Sequence, residues 1–206
     1  MITGVSGNPR SDVDTVLCDV GDVIIRFDPA VAARIESRHG LSAGSLLPTA
    51  LKSPPARLAM AGGIDYESWR QAIARALGEA AVTEWLDYHG EANHEVVELL
   101  KALKNNNVRV VLLSNATRRL WADLAHHGLD GLADAVFCSA DIRAAKPDPA
   151  SYRHAAAHGA FDLRRGLYVD DTASWVAAGQ DLGLRGHVFV TAQGLQEELT
   201  DLGLLP

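Results

Sequence analysis

Short apolar runs punctuate the chain at about 15–20, 108–114, 135–139, 166–170 and 186–191. Their length and β-branched content predict five buried strands. Helical patterns separate the last four, which predicts βα units and a parallel sheet. The run at 108–114 is the clearest. Asn105-Asn106-Asn107 just before it reads as the turn that ends a helix over 92–104. Asp148-Pro149 reads as a helix N-cap followed by proline at the first helical position.

The interval between the first two runs is different. Residues 30–95 contain no convincing strand, but helical patches near 29–39, 65–77 and 80–90, with a Pro/Gly-bearing break near 53–63. A crossover this long and this helical predicts an inserted helical subdomain over the carboxyl edge of the sheet. The expected organisation is therefore a loose polar tail over 1–13, a Rossmann-like α/β core built from 14–29 and 96–206, and a helical cap over 30–95. There is no internal repeat and no low-complexity tract.

Composition narrows the class. The chain has 206 residues, of which 48% are hydrophobic and 22% charged, enough for a sizeable core. No apolar stretch approaches the roughly 20 residues of a membrane helix. No basic segment followed by an apolar one opens the chain, so no secretory signal is read. Cys18 and Cys138 both lie in strand-like runs and read as reduced core residues, which fits a cytoplasmic protein. The net charge of -7 and the lack of a basic stripe argue against nucleic acid as a partner. The expected state is a monomer or homodimer.

Carboxylates stand where strands end. The first run closes on Asp19, followed by Val20-Gly21-Asp22, and the fourth closes on Asp170-Asp171. Open α/β sheets bind ligands at the carboxyl ends of their strands. Acids that converge there repel one another, and a hard cation relieves the repulsion. Asp19 taken alone reads first as a cap of a turn or helix start, and as a covalent nucleophile only in company with the other residues. Ser114-Asn115, after the second strand, can hold an anion or cap a helix. Lys146 can neutralise a phosphate or simply be solvated. Adjacent acids at 170 and 171 exceed what capping requires. The His154/His158 pair shares a helix face but lacks a partner for a zinc set. His126-His127 suits a helix C-terminus.

In this order the residues resemble the haloacid dehalogenase-like hydrolase superfamily. Its four motifs are a strand-end Asp, a strand-end Ser or Thr, a downstream Lys and a strand ending in acids. They match Asp19, Ser114, Lys146 and Asp170-Asp171, with a type 1 helical cap between the first two. The resemblance covers the chain from about residue 14, and Leu113-Ser114-Asn115, Lys146-Pro147-Asp148-Pro149 and Val169-Asp170-Asp171 make it specific.

The resemblance implies a Mg²⁺-dependent phosphatase acting on a small phosphorylated metabolite, with sugar phosphates among the candidates. Asp19 would form an aspartyl-phosphate. Asp19, the Gly21 carbonyl and Asp171 would hold Mg²⁺, with Asp170 beside them. Ser114 and the Asn115 backbone N–H would hold phosphate oxygens, and Lys146 would offset developing charge. Two positions depart from the pattern. Gly21 stands where such phosphatases carry a second, acid–base Asp, as in an Asp-x-Gly-x-Val subgroup. Ser174 and Trp175 stand where relatives often place a further acid or Asn. The alternatives are a 2-haloacid dehalogenase, whose halide leaves without protonation, and a non-catalytic binding or regulatory member of the fold. Lys52, Arg57 and Trp69 are the candidate substrate contacts from the cap.

Overall fold

The computed structural model describes residues 12–206. The expected tail therefore lies mostly outside the described residues, and Val13 is already packed in the main core.

Five parallel strands form one sheet: β1 (Thr15–Cys18), β4 (Arg109–Ser114), β5 (Ala135–Cys138), β6 (Gly166–Asp170) and β7 (Arg185–Val188), in the order β5-β4-β1-β6-β7. The strand that leads to Asp19 is central, and the strands that lead to Ser114 and to Asp170 flank it. In register, Cys18 pairs with Leu112 on one side and Val169 on the other. The last strand ends at Val188, three residues short of the expected limit. Val190 beyond it is 80% exposed, so an apolar side chain there carries no strand signal.

Alternation along the strands sends side chains to two faces. Val16, Cys18, Val110, Leu112, Leu167 and Val169 face one layer, which includes α5 (His94–Asn105), α6 (Arg119–His126) and α10 (Ala192–Asp201). Leu17, Val111, Leu113 and Tyr168 face the other, which includes α8 (Pro149–His158) and α9 (Ala173–Gln180). Both faces are covered, so the central strands β1, β4 and β6 are apolar along most of their length, whereas the edge strand β7 is polar and half-exposed. Asp148 caps α8 through Oδ1 at 2.9 Å from the Ala150 N–H, and Asn107 takes the left-handed conformation that ends the turn after α5.

The long crossover is helical: α1 (Pro29–His39), a π-helical turn (Pro48–Lys52), α2 (Pro54–Met60), α3 (Tyr66–Leu77) and α4 (Glu79–Leu86). These elements bury a cluster of their own around Ile35, Leu46, Trp69, Ile73 and Trp85. Glu36 is buried there because its carboxylate accepts the Gly44 and Leu46 N–H groups at 2.7 and 2.8 Å. Two expectations need correction. The Pro/Gly break contains α2, whose prolines sit in its first turn, where their missing N–H groups cost nothing, and whose N-cap is Ser53. The interval also holds a strand, β3 (Glu91–Ala92), antiparallel to β2 (Ile25–Arg26). Two-residue strands are too short to show periodicity.

That small ribbon joins the outgoing and returning chains. Asn93 reinforces it from its N–H to the Ile24 carbonyl (2.8 Å) and from its side chain to the Val23 carbonyl (3.2 Å). Arg119 of α6 stacks its guanidinium 5.2 Å from the Trp85 ring centroid and donates to the Tyr88 carbonyl. At the far end, Gly62 has φ +68, and a Cβ there would run into the Ala140 carbonyl and stand 2.8 Å from Arg143 Cγ. The helical layer thus rests on α7 (Ser139–Ile142), directly after β5.

Candidate active site

The sheet topology brings Asp19, Asp170 and Asp171 together. Asp19 is the first residue past β1, and its N–H donates to the Val169 carbonyl at 2.9 Å. Carboxylate oxygens of Asp19, Asp170 and Asp171 all lie within 4.8 Å of one another. Lys146 arrives from the loop between α7 and α8 with its side chain completely buried. Its Nζ is 2.9 Å from Asp19 Oδ1 and 2.7 Å from Asp170 Oδ2. The two contacts differ in kind. The Asp170 contact is an aligned hydrogen bond. Asp19 Oδ1 is buried without an aligned donor, so it has an ion-pair neighbour but an unused lone pair.

Asp170 is saturated. Its Oδ2 also accepts from the Tyr168 hydroxyl, and its Oδ1 accepts the Thr172 N–H at 2.8 Å, at the start of α9. Asp171 is half-exposed, and among the described residues its carboxylate accepts only a 3.2 Å contact from the Thr172 hydroxyl. Three acids thus share one lysine. Burial raises the Asp19 carboxyl to about 6, with Lys146 opposing the rise and Asp170 adding to it. Burial, then the neighbouring Asp170, also raises Asp171. Both carboxylates would be relieved by a further positive charge.

Ser114 ends β4, two residues past the partner of Cys18, and is nearly buried. No hydrogen bond engages its hydroxyl among the described residues. Asn115 plays a part its sequence position did not disclose. Its side chain accepts the Lys146 N–H (2.7 Å) and donates to the Lys146 carbonyl (2.8 Å), clamping the lysine's backbone. Ser139 accepts the Ala116 N–H at 3.0 Å and fixes the next step of the same loop.

Gly21 does not take the conformation that only glycine favours. The left-handed residue of this turn is Asp22, φ 57, whose carboxylate accepts the Phe27 N–H at 3.2 Å. A Cβ at Gly21 would meet nothing within 4 Å. Among the cap candidates, Trp69 is a core residue, 1% exposed, with its indole N–H donating to the Ala50 carbonyl. Arg57 donates to the Lys52 carbonyl. The two cysteines are free and buried, and burial lifts both thiols, that of Cys138 to about 11. Neither is poised to react.

Two aromatic residues line the site in a way sequence reasoning did not disclose: Tyr168, which it passed over, and Trp175, which it noted only as a departure from the family pattern. Tyr168 lies two residues before Asp170, and period-2 alternation puts both on one face. Trp175 lies one helical turn after Asp171. The lysine Nζ sits 4.8 Å from the Trp175 ring centroid and 5.8 Å from that of Tyr168.

Comparison with known proteins bears on the family and the fold. A family profile described as haloacid dehalogenase-like hydrolase matches residues 13–183. The chain is 30% identical over 112 residues to Phosphatase MT3486 of Mycobacterium tuberculosis, a match that covers 52% of each protein. The matched segment thus spans about half of that relative's length. A predicted HAD-like family hydrolase from Porphyromonas gingivalis superposes with a TM-score of 0.77 at 20% identity, over 93% of this chain and 98% of the other. A HAD family enzyme from Bacteroides thetaiotaomicron, in complex with magnesium and inorganic phosphate, superposes at 0.73 with 18% identity, over 85% and 93%. An L-2-haloacid dehalogenase from Xanthobacter autotrophicus with covalently bound chloropropionic acid superposes at 0.65 with 19% identity, over 94% and 85%.

Proposed function

We propose that this chain, which belongs to the haloacid dehalogenase-like hydrolases, is a Mg²⁺-dependent phosphatase of small phosphorylated metabolites. The observation that carries the reading is the excess of negative charge at the carboxyl edge of the sheet. Asp19, Asp170 and Asp171 converge around a single lysine. A dehalogenase has no use for that excess, since displacing halide from carbon needs no metal. The relative in M. tuberculosis, itself described as a phosphatase, supports the same reading.

The residues fit a hard divalent cation. Carboxylate oxygens suit Mg²⁺, and Asp19 Oδ1 has a buried lone pair without an aligned donor. Asp19 and Asp171, with the Gly21 carbonyl, would hold the ion, and Asp170 would stay committed to Lys146, Tyr168 and Thr172. When bound, Mg²⁺ would supply positive charge that neutralises the phosphate oxygens.

Within this reading the chain's own groups divide the work. Asp19 attacks phosphorus, the leaving oxygen departs, and an aspartyl-phosphate forms. Lys146 sits beside Asp19 and stabilises charge on the transferring group. The unengaged Ser114 hydroxyl and the Asn115 N–H receive phosphate oxygens, while the Asn115 side chain keeps Lys146 in place. Water then attacks phosphorus of the aspartyl-phosphate, releasing phosphate and regenerating Asp19. The test is phosphate release across a panel of phosphomonoesters, with Mg²⁺ and with a chelator. Turnover that needs Mg²⁺ is expected. Release of halide from 2-haloacids, with no phosphate release from any ester, would replace the reading.

Gly21 makes a second expectation. General acid–base groups contribute roughly 10²–10⁴-fold, and here no side chain stands two residues past Asp19. The space is open and the backbone unstrained, so Gly21→Asp should fold. Its carboxylate should raise turnover of alkyl phosphates, whose leaving oxygen needs a proton. Aryl phosphates should gain less. The comparison is kcat for one substrate of each kind in both proteins. Equal changes on the two would mean that this position does not govern leaving-group protonation.

A further inference from the structure

The Lys146 ammonium is enclosed by more than its two carboxylates. Its Nζ lies 4.8 Å from the centroid of the Trp175 ring. A desolvated ammonium at this range from an indole is a strong cation–π pair. The backbone that carries the ring is itself tied down. Tyr152, fully buried on α8, donates its hydroxyl to the Trp175 carbonyl at 2.8 Å. The Tyr152 ring packs edge-on to Tyr168 at 5.3 Å, and the Tyr168 hydroxyl closes the circuit on Asp170. Gly179 lets α9 come this close, because a Cβ there would stand 2.9 Å from the Tyr168 ring. Lys146 is thus bounded by Asp19, Asp170 and two aromatic rings, with its backbone clamped by Asn115.

We propose that Trp175 is a positioning residue that holds the Lys146 ammonium against Asp19. Asp170 is bound through three donors and draws Lys146 toward itself. The contact to Asp170 is the shorter of the two, 2.7 against 2.9 Å, so carboxylate attraction alone leaves the lysine biased to Asp170. The indole face supplies the remaining wall. The consequence for turnover rests on the phosphatase reading. The consequence for the lysine's position does not.

Two variants separate ring face from bulk. Trp175→Leu keeps an apolar side chain without a π face, and Trp175→Phe keeps a weaker face. The first measurement needs no activity. In protein labelled with ¹³C at lysine Cε, the Lys146 methylene signal is identified by its loss in Lys146→Met or Lys146→Arg. The ring should shift that signal upfield in the native protein and in Trp175→Phe, and Trp175→Leu should move it back toward the ordinary lysine position, with the Tyr168 ring retaining part of the shift. An unshifted signal in the native protein, or one unmoved by Trp175→Leu, would overturn the proposal. The second measurement is kcat on an aryl phosphate per folded molecule, with thermal midpoints recorded beside it. Trp175→Leu is expected to lower kcat about tenfold with KM changed less than about twofold, and Trp175→Phe to recover most of the loss. Equal kcat in the two variants would reduce Trp175 to packing and overturn the proposal. Native protein that releases no phosphate from any ester would defeat the phosphatase reading, and the spectrum alone would then decide whether the Trp175 ring faces the Lys146 side chain.

Discussion

Asp19→Asn is expected to abolish phosphate release and, without Mg²⁺, to make the protein more stable. The amide keeps the shape of the side chain but is a far poorer nucleophile. The gain in stability follows from the site's charge. Burial raises the Asp19 carboxyl in the folded protein from 3.8 to about 6. A proton is therefore held more tightly by the folded than by the unfolded chain, and stability falls as pH rises from about 4 through about 6. Above that window the ionised carboxylate destabilises the fold by on the order of 3 kcal/mol, and the amide removes this burden. Lys146 keeps Asp170 as its partner in the variant. At pH 7.5 in chelator, the variant should melt roughly 6–12 °C higher. At pH 4 the difference should vanish. Retained turnover in the folded variant would exclude Asp19 as the nucleophile. A lower midpoint at pH 7.5 would mean that the Lys146 ion pair outweighs burial.

Asp171→Ala should also remove turnover, for a different reason. Asp171 is the one acid of the three whose oxygens are nearly free, and with Asp19 it would carry the side-chain share of Mg²⁺ binding. Its loss should weaken Mg²⁺ binding and lower kcat/KM by at least about a hundredfold at millimolar Mg²⁺. Because burial and Asp170 both disfavour its ionised form, the metal-free variant should unfold no more easily than the native protein. Calorimetric titration with Mg²⁺ alone reads the binding, and thermal unfolding in chelator reads the stability. Native Mg²⁺ affinity in Asp171→Ala would pass the metal-binding role to Asp170, despite its three donors.

The catalytic reading of Asp19 and Asp171 leans on features that were local in the chain. The run over 15–18 is apolar because both faces of a central parallel strand are buried, and a carboxylate at its end announces itself by contrast. The same contrast marks Asp170-Asp171 and Ser114. Asp148-Pro149 caps α8 through contacts within three residues, so its signal needs no tertiary partner. Elsewhere local signals misled or were silent. Two prolines at 54 and 55 read as a break because proline is excluded from helix interiors, whereas here they open α2. Glu91–Ala92 is a strand only because Ile25–Arg26 lies beside it. In the turn after β1 the left-handed residue is Asp22 and not the neighbouring Gly21, which local sequence does not reveal.

By itself the sequence determined the class of sheet, the strands that carry acids to its edge, and the order of the residues that meet there. These follow from burial and alternation, which are written every second or fourth residue along one stretch of chain. Only the tertiary structure decided how those residues share their charge. Asp170 is committed to Tyr168, Lys146 and Thr172, and Asp171 is left nearly free, although the two are adjacent and chemically identical. Asn115 grips a backbone 31 residues away, and Trp175 faces an ammonium 29 positions earlier in the chain. Such contacts depend on where separate strands and helices come to rest, and neither propensity nor spacing encodes that.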